Sequence, residues 1–171
     1  MINLYNLLTV ILVAGVVFAT AYFLLKEFFQ NEMNKRHLTM LEEQRKVSLP
    51  IRLQAYERIV LFLERISPAN LVLRTHKAGL SATQFHQILV HAIREEYDHN
   101  LSQQLYVSNK SWEMVKTAKE EMIRQINTSA GQLEEDANSA DLSKKILDMS
   151  VDKLATRKAL DFLKAEARKI F

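Results

Sequence analysis

One step in the chain has the spacing of a metal-ligand pair. Glu96 and His99 stand three residues apart in Glu96-Tyr97-Asp98-His99, and on a helix that interval brings both side chains to one face. Di-iron carboxylate bundles draw ligands from such Glu-x-x-His steps, but they use the motif twice and add two inward-facing glutamates. His37, His76, His86 and His91 have no glutamate three residues before them. His91, Glu95 and His99 fall at i,i+4 steps on a side that also carries Gln87 and Asp98. The plain expectation is a solvated face with a surface contact between Glu96 and His99. Half of a metal motif stands beside it as the alternative, with general acid–base work as a third use of the same pair.

Other chemistry is missing from the chain. There is no glycine-rich phosphate loop, no His-Glu-x-x-His and no nucleophile elbow. There is no cysteine, which removes disulfides, thiolate catalysis and Cys-ligated zinc or iron–sulfur sites. No catalytic residue, cofactor or small molecule is predicted. The 23 Lys plus Arg against 20 Asp plus Glu leave a net charge of +3. That is too mild and too dispersed for nucleic acid, whose binders gather basic charge on one face. Arg52, Arg58 and Arg65 alternate with Glu57 and Glu64 and read as solvated mixed charge. Trp112, at the start of an apolar helical stripe, is expected to pack; it is also the one candidate anchor for a protein partner.

Any such site must be held by a body whose position is set by residues 4–25. That run, LYNLLTVILVAGVVFATAYFLL, contains no charged residue. As a helix it measures about 33 Å, enough to cross the hydrocarbon core of a bilayer. A membrane anchor over residues 1–27 is the expectation. A cleaved leader is the rival, since Ala19-Thr20-Ala21 resembles a small-x-small processing site, yet the lead-in has no basic residue. Lys26, Lys35, Arg36, Arg45 and Lys46 all follow the run. The positive-inside rule then places the N-terminus outside and the body in the cytoplasm. Tyr5 and Tyr22 lie near the two ends of the span, at the depth where tyrosine is favoured, and Phe28 and Phe29 follow at the inner headgroup region.

Three glycines and two prolines in 171 residues call for long helices and an all-α fold. Residues 28–48 read as a helical stalk, with Phe29, Met33, Arg36 or His37, Met40 and Val47 at helical spacing. Residues 49–171 read as one antiparallel bundle of about four helices. Ser48-Leu49-Pro50 predicts a helix start, and Tyr56, Ile59, Leu63 and Ile66 predict the buried stripe of a helix over 51–66 that ends at Ser67-Pro68. Residues 71–73 suit a short helical turn better than a lone strand, and Gly79 supplies a bend. Ser81 and Gln84 match a capping box; the helix it opens is expected to reach about residue 104, with Phe85, Leu89, Tyr97, Leu101 and Leu105 on its stripe. A helix over about 110–136 follows, with Trp112, Val115, Lys119 and Ile126 on its apolar side. A last helix over about 140–170 shifts register between Met149 and Leu154, which predicts a bend near Asp152.

Two segments, LPIRLQAYERIVLFLERISP at 49–68 and QLYVSNKSWEMVKTAKEEMIRQIN at 104–127, resemble an uncharacterised family of Bacteroidota proteins. The resemblance implies an N-terminal membrane helix, a helical cytoplasmic body and a bacterial inner membrane. It implies no activity and no site residue. The architecture is also similar to stalk subunit b of ATP synthases, from which the short stalk, Pro50 and Pro68 depart. The functional expectation is a membrane-tethered scaffold or adaptor holding a protein partner, or a copy of itself, at the cytoplasmic face. A metal-dependent bundle enzyme using Glu96 and His99 is one alternative. An accessory subunit of a transport or secretion complex is the other, for which Gly15, Ala14, Ala19 and Ala21 would let the span pack closely.

Overall fold

The computed structural model describes residues 4–149 and 155–170. Among them every regular element is helical: α1 Leu4–Arg65, α2 Pro68–Thr75, α3 Ala82–Asn100, α4 Asn109–Ala130, α5 Ser139–Met149 and α6 Ala155–Ala167. The chain divides into two units, Met1–Leu49 and Pro50–Phe171, and the boundary falls inside α1.

In the first unit α1 carries the uncharged run. Its most apolar 18-residue window has a mean hydropathy of 2.5, and none of that window is buried. Among the described residues it belongs to the one helix long and apolar enough to cross a membrane. The polar groups within the run are closed off locally. Thr20 donates to the carbonyls of Val16 at 3.0 Å and Val17 at 2.9 Å, which satisfies its hydroxyl within the helix. The side chain of Tyr5 lies outside the described residues, while Tyr22 is exposed and sets its ring edge-on to Phe23. Residues 26–48 are helical throughout.

The helix start expected at Ser48-Leu49-Pro50 is not there. Pro50 lies inside α1. Proline removes one i→i−4 hydrogen bond and crowds the carbonyl of Lys46, at a cost of about 3 kcal/mol relative to alanine. Lys46 is exposed, so water can reach the carbonyl left without its donor. Both flanks consist of good helix formers, so the helix runs through the defect.

In the second unit the core begins on α1. Tyr56, Ile59, Phe62, Leu63 and Ile66 are all buried, at the 3- and 4-residue steps that put one stripe inward. Phe85, Leu89 and Ile93 of α3 meet it, with Val115, Met122 and Ile126 of α4, Leu142 and Ile146 of α5, and Leu163 of α6. Helix α4 packs against α3, α5 and α6, and α2 lies against α3 and α5. Residues 69–75 are helical, as the absence of a pairing strand required. Gly79 turns the chain with φ +82°, a conformation that favours glycine. The Ser81 capping box forms on both sides: Ser81 Oγ accepts from Gln84 N–H, and the Gln84 side chain accepts from Ser81 N–H, each at 3.2 Å.

Two expected boundaries move. The third helix stops at Asn100 and tightens into a 3₁₀ turn, Leu101–Leu105. The tighter turn carries Leu101 and Leu105 off the apolar stripe into solvent, and Gln103 is buried instead. Helix α4 ends at Ala130 because Gly131 weakens it and because residues 137–139 are drawn to the start of α3. There Ala137 C=O accepts from Ala82 N–H, and Ser139 N–H donates to Leu80 C=O, both at 3.0 Å. The last expected helix is described as α5 and α6; the bend expected near Asp152 lies outside the described residues.

Leu63 is fully buried at mid-stripe. Leu63→Ala should destabilise the body by about 2–5 kcal/mol, measured by urea unfolding of the detergent-solubilised full chain. Trp112, the single tryptophan, is the fluorescence reporter. A loss below about 0.5 kcal/mol, within the range of ordinary surface substitutions, would contradict this packing.

Candidate functional site

Glu96 sits on α3 with its carboxylate already engaged. Arg65 of α1 donates to Oε1 through Nε at 2.7 Å and approaches the same oxygen through Nη2 at 2.5 Å. Arg74 of α2 adds Nη1 at 3.1 Å. The Glu96 side chain is 16% exposed, so one carboxylate in a mostly dry position joins three helices through charge-assisted hydrogen bonds. His99 and Asn100 line a shallow groove with Arg58, Leu61, Phe62 and Arg65. Glu96 therefore turns to two guanidinium groups on other elements rather than forming the expected local contact with His99. His91 Nδ1 stands 3.9 Å from Glu95 on the open face of α3. Among the described residues no group of three or more His, Cys, Asp or Glu could hold a metal ion. A cation at Glu96 would have to compete with two arginines.

Trp112 is buried, 7% exposed, and stacks on Tyr97 at 5.5 Å between ring centroids. Tyr97 in turn tilts against Phe62 at 6.0 Å. The Nζ of Lys119 lies 4.3 Å from the Tyr97 ring centroid. This places a lysine on an apolar stripe: its stem packs while its ammonium faces a π-system and bonds Glu120 at 2.7 Å. The Trp112 ring is spent on packing inside the body.

The densest polar cluster centres on a residue that periodicity does not single out. Glu166 of α6 accepts from Tyr56 Oη of α1 at 2.5 Å and from Ser108 Oγ at 2.8 Å, and Ser111 Oγ donates to the same Oε2. Ser108 is also the N-cap of α4, its Oγ accepting from Ser111 N–H at 3.1 Å. The carboxylate thus lies at the positive end of a 22-residue helix. Burial pushes the Glu166 carboxyl up, but the hydrogen bonds from Ser111, Tyr56 and Ser108 outweigh it and hold it below its ordinary range. Burial, followed by the hydrogen bond and charge of Glu166, pushes the Tyr56 phenol up to about 12, with Arg52 opposing. Arg52 also donates to Tyr106 C=O at 3.3 Å. A carboxylate stabilised in its ionised form is a weak base, and a phenol with a raised pKa is a weak acid. The cluster is suited to clamping α1, α4 and α6 rather than to moving protons. The sequence carries no signal of it: the apolar residues Leu163, Ala167 and Ile170 keep helical steps of four and three past Glu166.

A protein-family model described as a family of unknown function, DUF7935, matches residues 2–170. No curated protein and no solved structure matches the chain.

Glu166→Gln should cost about 1.5–3 kcal/mol near neutral pH, the range for hydrogen bonds to a charged group, in the same fluorescence-monitored unfolding. The Glu166 pKa is depressed in the folded state. Its contribution is therefore present above the unfolded carboxylate value and is lost as pH falls through the depressed one. The gap between wild type and Glu166→Gln should narrow on acidification, and a gap independent of pH would contradict the clamp. Tyr56 carries the opposite sign. Its contribution is full below pH 10.0 and fades as pH rises toward about 12, a loss that Tyr56→Phe should lack.

Proposed function

The chain belongs to the family of unknown function DUF7935, and we propose that it is a single-pass membrane-anchored scaffold, holding a protein partner or a second copy of itself at the cytoplasmic face of a bacterial inner membrane. One observation carries the reading. No residue in the apolar window of α1 is buried, and a stretch of that hydropathy left exposed has lipid as its natural solvent. The orientation rests on Lys26, Lys35, Arg36, Arg45 and Lys46, which all follow the uncharged run.

The role is one of binding rather than reaction. The two most enclosed carboxylates, Glu96 and Glu166, are spent on interhelical links, and Trp112 is spent on the core. What faces outward on the body is a mixed-charge surface, the kind that gives a partner its specificity through complementary charges.

Membranes washed with carbonate or high salt should retain the chain, and its release would end the anchor reading. A C-terminal reporter active only on the periplasmic side would reverse the orientation. Purification in mild detergent should give a defined complex with a protein or with itself. Stoichiometric iron, manganese or zinc that is lost in Glu96→Ala and His99→Ala would replace the scaffold with a metal enzyme.

A further inference from the structure

The part of α1 after the uncharged run has two unlike faces. Phe29, Met33, Met40 and Val47 lie along one side at steps of four and seven residues, with His37 and Gln44 beside them. Glu27, Lys35, Glu42 and Lys46 lie on the other, with Phe28 and Leu38 exposed among them. The four apolar side chains are 59–71% exposed. An apolar stripe left open to water is unfavourable relative to one that is covered.

We propose that this face pairs with the same face of a second copy, giving a parallel two-stranded coil over residues 29–47. The inference rests on the membrane-anchor reading. Met33, Met40 and Val47 recur at seven-residue steps, the repeat that two helices keep by winding around each other to the left. Anchorage in one bilayer makes two copies parallel and sets residue 33 of each at the same height. A second copy is therefore the occupant whose stripe matches in direction and in register. The flanking positions raise no electrostatic objection. With Met33, Met40 and Val47 at the d positions, Phe29, Arg36 and Glu43 share the flanking column; Arg36 then meets the second copy's Leu41 and Glu43 meets the second copy's Ser48, so no like charges face each other. Gln30, His37 and Gln44 form the other seam column and face their own counterparts, so the seam is apolar in one column only, which favours register over strength. Within the span, Gly15 and Ala19 lie on the same side of α1, with Gly15 about five turns before Met33. A Cβ at Gly15 would meet nothing within 4 Å, so a second helix can approach closely there.

The absence of cysteine makes the test clean. Single variants of the full chain are oxidised in native membranes. Met33→Cys, Met40→Cys and Val47→Cys should give disulfide-linked dimers in several-fold higher yield than Lys35→Cys, Glu42→Cys and Lys46→Cys. Adding Met40→Glu to Met33→Cys should lower that yield several-fold while the chain stays in the carbonate-washed membrane. Equal yields on both faces, a maximum on the charged face, or no dimer from chains retained in the membrane would overturn the pairing and leave the anchor standing. Release by carbonate would overturn the anchor, and the pairing with it.

Discussion

An apolar helix that the protein does not cover has to find its solvent elsewhere, and that constraint governs what the chain can be. About 25 cal/mol is at stake for each Å² of apolar surface kept from water. No residue in the apolar window at the start of α1 is buried, while Ile59, Phe62 and Leu63 share the core of the second unit with Phe85 and Ile126. The body is complete without the run. The run is consistent with one membrane pass, in which lipid hydrocarbon would accept the side chains while the helix satisfies its own backbone.

The body answers a different problem, which is how to fix helices whose apolar stripes alone would tolerate sliding. Its solution is polar. Glu96 ties α1 and α2 to α3 through Arg65 and Arg74, and Glu166 ties α6 to α1 and to the N-terminus of α4. Each carboxylate is matched by directional donors, so the positions it accepts are few. Apolar contacts supply most of the favourable free energy, and these two clusters narrow the arrangements in which it can be collected. Among the described, unexposed side chains, every fully covered nitrogen or oxygen has a partner, as a specified core requires.

How far the sequence could be read depended on the range over which each determinant acts. Local determinants were legible. The uncharged run, the Ser81–Gln84 cap, the stop at Ser67-Pro68 and the inward stripe of Ile59 and Leu63 each depend on neighbours within a turn or two. Pro50 misled because proline favours a first turn, whereas two strong helical flanks carried the helix past it. Leu101 and Leu105 misled because a change of helical pitch leaves no mark in apolar spacing. The polar clusters were the least legible part. Glu96 was visible for its local step to His99, but its true partners are 31 and 22 residues away. Glu166 was not visible at all, because its partner Tyr56 stands 110 residues earlier.

That last separation bears on how the protein is made. At about 5–20 residues per second, a ribosome that has just added Tyr56 needs roughly 5–20 seconds to reach Glu166. Throughout that interval the Tyr56 hydroxyl lacks its acceptor, as do those of Ser108 and Ser111 once they are made. The uncharged run, made first, is available to the insertion machinery while the body is still incomplete. Synthesis therefore completes the uncharged run well before the bundle can close, and for a chain anchored as proposed, membrane entry comes before closure of the core.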